Sequence, residues 1–494
     1  MMADEQEAFT VAAVRGALQS EQSTATQHVE RAASRWQSTH DWLNALVQPR
    51  FEAAEKEAEA ITAADPRPLA GVPVSIKDCF PLAGLRTTLG IEPRREQVDQ
   101  RDCQLVQQIR ASGAVIVGKA NVPQALYLHE SDNPVFGRTV NPVDRQRGPG
   151  GSSGGDAAAV AAGVVPLAFG NDLAGSIRQP AHACGIVGYV PSRGRLGTGG
   201  AYNTMPSLRG LSSRAGVLAR TVAGAVAGVE AVAGCSLREM EPGRSPVVGW
   251  WETAGPVPPS PAVVRGVRQA VASLQAAKMQ TRPVDESLSE IAGWLHLGLV
   301  SGDGGAAIQR LLQGSPPIPQ VAELIRLAGL PRWQRPLLAG VATFVGRRIE
   351  AAAVRKTGPL SPVEQQVLLR ARETLALLVK GWRQTHGIDA VVCPVSALPA
   401  LRHGTAGRLI LAAFPCLFAM LLDLPTATVP VTRVRASETT GRGVSLDPVL
   451  QAAAATDAGS TGLPIGVQVI AIDGRDQTAI RVMAAIERGS ATQS

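Results

Sequence analysis

The chain has 494 residues, and 48 lysines and arginines against 41 aspartates and glutamates give it a formal net charge of +7. The arginines are spread along the whole chain, so the charge does not indicate nucleic acid as a partner. The longest apolar run, residues 409–422, spans 14 residues and includes Pro415. A membrane-spanning helix needs about 20 residues, so we expect this run to be a core segment or a channel wall.

Six cysteines and seven histidines are scattered without metal-ligand spacing. Free thiols are typical of a reducing compartment, and the first residues lack the basic and apolar pattern of a signal peptide. We therefore expect a cytoplasmic protein and infer neither a metal nor a cofactor. No linker-like stretch divides the chain, so we expect a single domain over residues 1–494.

The first predicted elements are helices. Residues 1–65 have periodic apolar positions and are rich in alanine and glutamate, which favours helix. Residues 71–78 then alternate apolar side chains as a strand does and carry Lys77 inward. The chain has only six lysines against forty-two arginines, so lysine is selected here over arginine. A buried lysine loses its proton more readily and can act as a general base, which arginine cannot do. A solvated lysine at a strand end is the alternative. Lys119 has a similar setting, so position in a strand does not by itself identify a catalytic lysine.

Glycines surround two serines between residues 150 and 176, namely Ser152 and Ser176. The sequence predicts a helix over 156–162, a buried strand over 164–169 and a tight loop over 170–176. Backbone N–H groups of such a loop can converge on a developing oxyanion. Two serines, a lysine and backbone donors are the parts of an acyl-transfer site, and a Gly/Ser-rich loop without chemistry is the alternative.

Two other motifs are considered for the glycine-rich segment and are rejected, because the surrounding sequence does not fit them. The segment 150–155 satisfies G-x-S-x-G, but the nucleophile elbow requires a strand directly before it. The preceding residues 144–149 are polar and contain proline. A phosphate-binding loop would end in Gly-Lys-Ser/Thr, which is missing from this segment.

Residues 324–348 combine Trp333, Phe344 and aliphatic side chains with five arginines. This composition fits either an interfacial helical hairpin or an ordinary amphipathic helix pair at the surface. Weak, reversible membrane contact through 324–348 is therefore left open. The Gly/Ser/Thr-rich segment 436–462 is predicted to be a mobile loop.

Together, Lys77 and the segments 150–155 and 172–178 resemble the amidase signature family of serine hydrolases. The order and spacing of the lysine and the two serines match, and the likeness covers roughly residues 8–488. It is weakest over 240–360, which we expect to be a variable, helical, substrate-shaping region. Residues 121–142 are most similar to the fatty acid amide hydrolases of that family.

The resemblance implies an α/β fold, in which a large, twisted, mixed β-sheet is covered by helices on both faces. It also implies a Ser-Ser-Lys triad. Ser176 would be the acylated nucleophile. Ser152, joined to Gly151 by a cis peptide, would relay the proton, and Lys77 would be the base.

Further roles follow from the same resemblance. The backbone of Leu173, Ala174 and Gly175, together with Ser176, would form the oxyanion hole, with Ala174 in place of a more usual glycine. Leu126 would line the acyl site. The supporting loop residues would be Gly151, Ser153, Asp172 and Arg178.

The expected activity is hydrolysis of small-molecule amides through an acyl-enzyme. The acyl or aryl part of the substrate would be apolar, and esters and carbamates would be side substrates. A hydrolase specific for small amides or carbamates (urethanes) is one alternative. A glutamine-dependent amidotransferase subunit, which acts beside a partner protein and tRNA, is another. A homodimer is also left open.

Overall fold

The computed structural model describes residues 9–205, 208–237 and 244–491. These residues form seventeen α-helices and thirteen β-strands. The helices are α1 (Val11–Gln19), α2 (Ala25–Leu43), α3 (Phe51–Glu59), α4 (Gln104–Ala111), α5 (Gly154–Ala161), α6 (Arg178–Cys184), α7 (Val222–Ala233), α8 (Pro261–Ala276), α9 (Ser287–Ser301), α10 (Ala306–Leu312), α11 (Pro319–Ala328), α12 (Arg335–Phe344), α13 (Arg348–Lys356), α14 (Pro362–His386), α15 (Cys416–Leu421), α16 (Pro448–Asp457) and α17 (Asp476–Ala491). The strands are β1 (Leu46–Pro49), β2 (Pro73–Lys77), β3 (Val115–Ala120), β4 (Asp132–Asn133), β5 (Gly137–Arg138), β6 (Leu167–Asp172), β7 (Val187–Val190), β8 (Arg214–Ala219), β9 (Val248–Trp250), β10 (Thr281–Pro283), β11 (Ala390–Pro394), β12 (Thr426–Arg433) and β13 (Pro464–Ala471).

Eleven of these strands form one mixed sheet, in the order β1-β3-β2-β6-β8-β7-β12-β13-β11-β9-β10. Strand β2 is parallel to both of its neighbours, β3 and β6. In the sheet order, each neighbouring pair in the run β8-β7-β12-β13-β11 is antiparallel. The large mixed sheet confirms the predicted α/β fold.

Helices cover both faces of the sheet, as alternate strand residues show. Successive side chains of a strand point to opposite faces. Phe169 of β6 belongs to a hydrophobic cluster that includes residues of α4, α7, α8 and α17. Its neighbour Ala168 belongs to a second cluster, with residues of α2, α3, α5 and α6. Both faces are therefore buried under helices.

Several predicted elements are present with different bounds. Helices α1, α2 and α3 occupy the N-terminal segment as predicted, but residues 46–49 form an edge strand that the helical pattern did not reveal. The variable region 240–360 begins with residues outside the described part of the chain, and its described residues 244–360 are mostly helical and also contribute the short strands β9 and β10. The apolar run 409–422 is largely buried in the core, where it forms a 3-10 turn and helix α15.

Two loop predictions are corrected. The segment 436–462 contains helix α16, whose N-cap Asp447 accepts a hydrogen bond from the Val449 N–H. An acidic N-cap followed by Pro448 is a helix-start signal that the surrounding Gly/Ser/Thr composition obscured. The predicted loop 170–176 is also too long, because β6 continues to Asp172 by pairing with β8.

None of the helices that the structure describes is both long enough and apolar enough to cross a bilayer.

Candidate active site

Lys77 lies at the end of β2 and is completely buried. Strand alternation places it on the face opposite Ile76, towards the start of α5. Its Nζ lies 2.6 Å from Ser152 Oγ and 2.6 Å from Asn171 Oδ1. The alternative of a solvated lysine is therefore wrong.

The two predicted serines are in direct contact. Ser152 Oγ lies 2.9 Å from Ser176 Oγ, and the two residues are 2% and 9% exposed. The structure thus joins Lys77, Ser152 and Ser176 in one continuous chain of hydrogen bonds, although they come from a strand and two separate turns.

The turn before α5 is built on a close approach of backbone segments. The Gly151–Ser152 peptide is cis, as the resemblance implied. A Cβ on Gly151 would lie 2.6 Å from the Leu128 carbonyl oxygen, so only glycine fits there. The N–H of Ser153 donates to the Ser176 carbonyl at 3.1 Å. This bond fixes one serine turn against the other.

Asp172 organises the loop that carries Ser176. Its carboxylate accepts from the N–H groups of Gly175 at 2.7 Å and Ile177 at 3.0 Å. It also pairs with Arg178 at 2.9 Å, and both side chains are fully buried. The guanidinium donates further to the Cys416 carbonyl at 2.8 Å and to the Gln468 side chain. The pair ties the loop to α15 and β13.

The predicted oxyanion donors differ in their availability. The Gly175 N–H is already taken up by Asp172, so an oxyanion would have to share it. Within the described part of the chain, the N–H groups of Leu173, Ala174 and Ser176 have no protein acceptor. These three are the open donors next to the Ser176 hydroxyl.

Burial sets the protonation of the lysine. It lowers the pKa of Lys77 below the usual range. By contrast Lys119, the other lysine in a similar sequence setting, pairs with Asp78 at 3.3 Å, whereas both hydrogen-bond partners of Lys77 are neutral oxygens. The site therefore favours an uncharged Lys77 that can accept a proton.

Sequence reasoning missed two polar neighbours of Lys77. Asn171 was assigned to a loop, which hid the fact that parallel β2 and β6 end at the same edge of the sheet. Asp156 begins the helix predicted over 156–162, but the sequence does not reveal that it is fully buried and accepts from Ser75 Oγ at 2.9 Å. Burial raises the pKa of Asp156 and so favours its neutral form.

The histidine near the nucleophile has a structural role. The His182 ring is fully buried, and its nitrogens bond the backbone of Gly466 and Leu398 at 3.2 and 3.0 Å. A different histidine, His129, lies beside the Ala174 backbone, and burial lowers its pKa to about 4. Its flanking residues contact Gly151, but no sequence motif marks this position.

Leu126 lies outside the hydrogen-bonded network. It belongs to the 3-10 turn of residues 124–126, has a φ of +59° and packs half-buried against the core. Its neighbour Gln124 receives a hydrogen bond from the Ile318 N–H at 2.8 Å. The turn thus connects the site to the variable region.

Replacing Asp172 with asparagine is expected to lower the free energy of unfolding by about 3–5 kcal/mol, because it leaves the Arg178 charge buried without its partner. Urea denaturation measures this loss. As a control, Glu252→Gln at the more exposed ion pair with Arg268 should change stability little. Equal losses in the two variants would contradict a special role for the buried pair.

The pH dependence of this pair has a definite sign. Burial alone would raise the pKa of Asp172, but the charge and hydrogen bonds of Arg178 and the N–H groups of Ile177 and Gly175 together outweigh burial and hold this pKa well below the usual range. The carboxylate therefore contributes its full stability above the unfolded-state pKa of about 4. That contribution declines as pH falls below this value and is lost only in strong acid.

Comparison with known proteins places the chain in a family. The amidase family profile matches residues 27–480. Fatty-acid amide hydrolase 1 of Sus scrofa is 30% identical over 465 residues, which cover 88% of this chain and 78% of the relative. A glutamyl-tRNA(Gln) amidotransferase subunit from Koribacter versatilis is 29% identical over 521 residues, and the match covers 98% of both chains.

Solved structures share the fold. A fatty acid amide hydrolase has a TM-score of 0.80 at 18% identity, covering 97% of this chain and 84% of that chain. A crystal structure of an amidase has a TM-score of 0.74 at 28% identity, covering 97% and 99%. The chain belongs to the amidase family, the amidase signature hydrolases that act on carbon–nitrogen bonds other than peptide bonds.

Proposed function

We propose that the chain hydrolyses amides through an acyl-enzyme on Ser176, with Ser152 as proton relay and Lys77 as base. The observation that carries this proposal is the chain of contacts from Lys77 Nζ through Ser152 Oγ to Ser176 Oγ, at 2.6 and 2.9 Å. Both distances suit proton transfer between heavy atoms.

Acylation uses each of these groups once. As Ser176 Oγ attacks the amide carbon, its proton passes to Ser152 Oγ, and the Ser152 proton passes to neutral Lys77. The N–H groups of Leu173, Ala174 and Ser176 would stabilise the oxyanion, each such donor being worth about 3–4 kcal/mol in the transition state. The proton then returns along the same path to the leaving nitrogen, and the C–N bond breaks.

Deacylation reverses the roles. A water molecule gives its proton to the Ser152–Lys77 relay as its oxygen attacks the acyl carbon. The bond to Ser176 Oγ breaks, the oxygen recovers the proton, and the carboxylic acid leaves. Because an ester or a carbamate passes through the same kind of intermediate, both are expected as side substrates.

We propose an apolar acyl or aryl part for the substrate. We expect Leu126 to contact that part, as the resemblance to the fatty acid amide hydrolases implies. Leu173 packs with the apolar residues of α9 and α15, which supports an apolar wall beside the loop that carries Ser176.

A graded series of p-nitroanilides, from acetyl to lauroyl, tests this function directly. Release of p-nitroaniline by the purified chain alone, with an optimum at the longer acyl groups, is the expected result. An optimum at acetyl would instead support a hydrolase of small amides or carbamates, in which residues 240–360 close the pocket. No turnover of any member would count against the amide hydrolase proposal.

A second candidate is a glutamine-dependent amidotransferase subunit. The match to such a protein over 98% of both chains favours it. An amidotransferase component of this kind would release little ammonia from glutamine by itself and would copurify with a partner protein. High anilide turnover by the isolated chain, without glutaminase activity, would exclude it.

An exposed apolar face on α12 supports contact with a membrane. Trp333 before the helix is 77% exposed, and Phe344 at its end is 92% exposed. Leu337 and Val341 extend this face along the helix. Arg335, which the sequence grouped with the lipid-facing arginines, is instead buried and donates to the carbonyls of Leu330 and Val354 at 3.0 Å each.

The double variant Trp333→Ala/Phe344→Ala is expected to bind anionic vesicles at least about tenfold more weakly, because two large apolar side chains are lost from the membrane-facing surface. Cosedimentation at low salt measures the binding, which salt should weaken. Leu377→Ala is the matched control, since Leu377 is 71% exposed on α14. If the parent protein does not bind such vesicles, the apolar face of α12 is an ordinary protein surface. The proposal of a long-chain substrate then loses its main local support.

A further inference from the structure

A cavity of about 630 Å³ opens at the surface between helices α10 and α11. Its walls are the end of α10, the connection that follows, one side of α11 and the residues directly after α11. The volume lies in the range of about 300–1,000 Å³ that is typical of small-molecule sites. None of the lining residues belongs to the turns of Ser152 and Ser176, so the cavity lies outside the hydrogen-bonded network of the candidate active site.

The most deeply buried residues of the lining are apolar. Leu312 and Ile325 are 3% and 7% exposed, and they belong to the hydrophobic cluster against which Leu126 packs. Ala322 and Leu330 add apolar surface to the walls. Because removal of apolar surface from water favours binding, these residues suit the hydrocarbon part of a ligand.

Among the described residues that line the cavity, Arg326 on α11 carries the only charge. Its side chain is exposed, and it has no hydrogen bond or ion pair within the part of the chain that the structure describes. It stands four positions after Ala322, so the two side chains share one face of the helix. By contrast, the nearby Arg332 is paired with Glu364. The guanidinium of Arg326 is therefore available to a ligand in the cavity.

We propose that this cavity binds a single-chain carboxylate, with the chain against Leu312 and Ile325 and the carboxylate on Arg326. A guanidinium holds a carboxylate through two parallel hydrogen bonds. One guanidinium matches the single charge of a carboxylate, whereas a phosphate monoester carries nearly two charges at neutral pH. The acid released from an apolar amide belongs to this class of ligand. That identification rests on the proposed function, whereas the site itself does not.

The connection between α10 and α11 joins the cavity to the turn that carries Leu126. Pro317 lines the cavity, and Gln124 bonds the residues on both sides of it. The Gln124 Nε2 donates to the Pro316 carbonyl at 3.3 Å, and its Oε1 accepts from the Ile318 N–H at 2.8 Å. This connection is the direct structural link between a bound carboxylate and the turn expected to contact the acyl group.

The test uses the full-length protein and 11-(dansylamino)undecanoate, a carboxylate probe whose fluorescence rises in an apolar environment. Titration with the probe should show saturable binding. Decanoate should displace the probe at concentrations about tenfold lower than decanol, as one charge-assisted hydrogen bond allows. Absence of saturable binding, or equal potency of decanoate and decanol, would overturn the proposal. Displacement by decyl phosphate at lower concentrations than decanoate would assign the site to a phosphate headgroup instead.

Variants of the lining identify the residues responsible. Arg326→Gln should weaken probe binding about tenfold, because the carboxylate loses its charged partner, and should leave the affinity for decanol unchanged. The matched control is Arg310→Gln, since Arg310 is an exposed arginine of α10 outside the lining. Ala322→Trp should prevent binding of probe and decanol alike, because the larger side chain fills the cavity, and an unchanged Tm would show that it is folded. Full binding in Arg326→Gln, or an equal loss in Arg310→Gln, would contradict the assignment.

Two further measurements separate this cavity from the other apolar surfaces of the protein. Protein that has reacted at Ser176 with a dodecyl fluorophosphonate should still bind the probe, and loss of binding would place the carboxylate in the acyl site instead. The Trp333→Ala/Phe344→Ala variant should bind the probe as the parent does, and a loss there would assign binding to the face of α12. Probe binding requires no turnover, so a protein that binds the probe but hydrolyses no anilide would refute the proposed function alone.

Discussion

Replacement of Ser176 by alanine is expected to reduce anilide hydrolysis to below about 10⁻⁴ of the parent rate, the scale seen when a covalent nucleophile is removed. The hydroxyl is the only group of the proposed triad that would bond the acyl carbon, so no neighbour can replace it. An apolar fluorophosphonate should add one phosphonyl group to the parent protein, and peptide mass spectrometry should locate it on Ser176. The Ser176→Ala variant should not be labelled.

Ser153 provides the matched control for this experiment. It stands next to the proposed relay, but its Oγ faces the Asn171 carbonyl at 3.4 Å instead of the Ser176 hydroxyl. Ser153→Ala should therefore retain labelling at Ser176 and far more activity than Ser176→Ala. Labelling at Ser153, or turnover that persists in Ser176→Ala, would overturn the assignment of the nucleophile.

Loss of the proton relay is expected to cost about two or more orders of magnitude in kcat, the usual range for general acid–base catalysis. Both Lys77→Met and Ser152→Ala should show this loss, since each breaks the path between Ser176 Oγ and the base. Methionine is preferred over alanine at position 77 because it fills nearly the same buried volume. Retained fluorophosphonate labelling or an unchanged Tm would show that the variants are folded.

The pH profile distinguishes the lysine from an imidazole base. Because burial lowers the pKa of Lys77, activity should rise as pH rises through that pKa, where the ammonium becomes the neutral base. The buried His129, with a pKa of about 4, is already neutral across this range and should not shape the profile. A profile that moves in His182→Ala and is unaffected by Lys77→Met would contradict the scheme.

The residues of the proposed triad could be predicted because they lie in short, ordered motifs. Glycines that admit a close backbone approach marked both serine turns, and the rarity of lysine marked Lys77. Arg335 shows the limit of such reasoning. Its place in a Trp/Arg-rich segment indicated a lipid-facing charge, yet the guanidinium binds backbone carbonyls inside the protein.

The sequence by itself determined what short motifs can specify: the serine and lysine motifs, the glycines around them and, through the family that these motifs resemble, the α/β class. It did not place Asn171, Asp156 or His129, because each is defined by contacts with segments far away in the chain. Strand pairing between β2 and β6 brings Asn171 to Lys77, and the start of α5 brings Asp156 to Ser75 of β2. Only the tertiary structure decides such positions, since a buried polar group takes its role from the partners that folding gives or denies it.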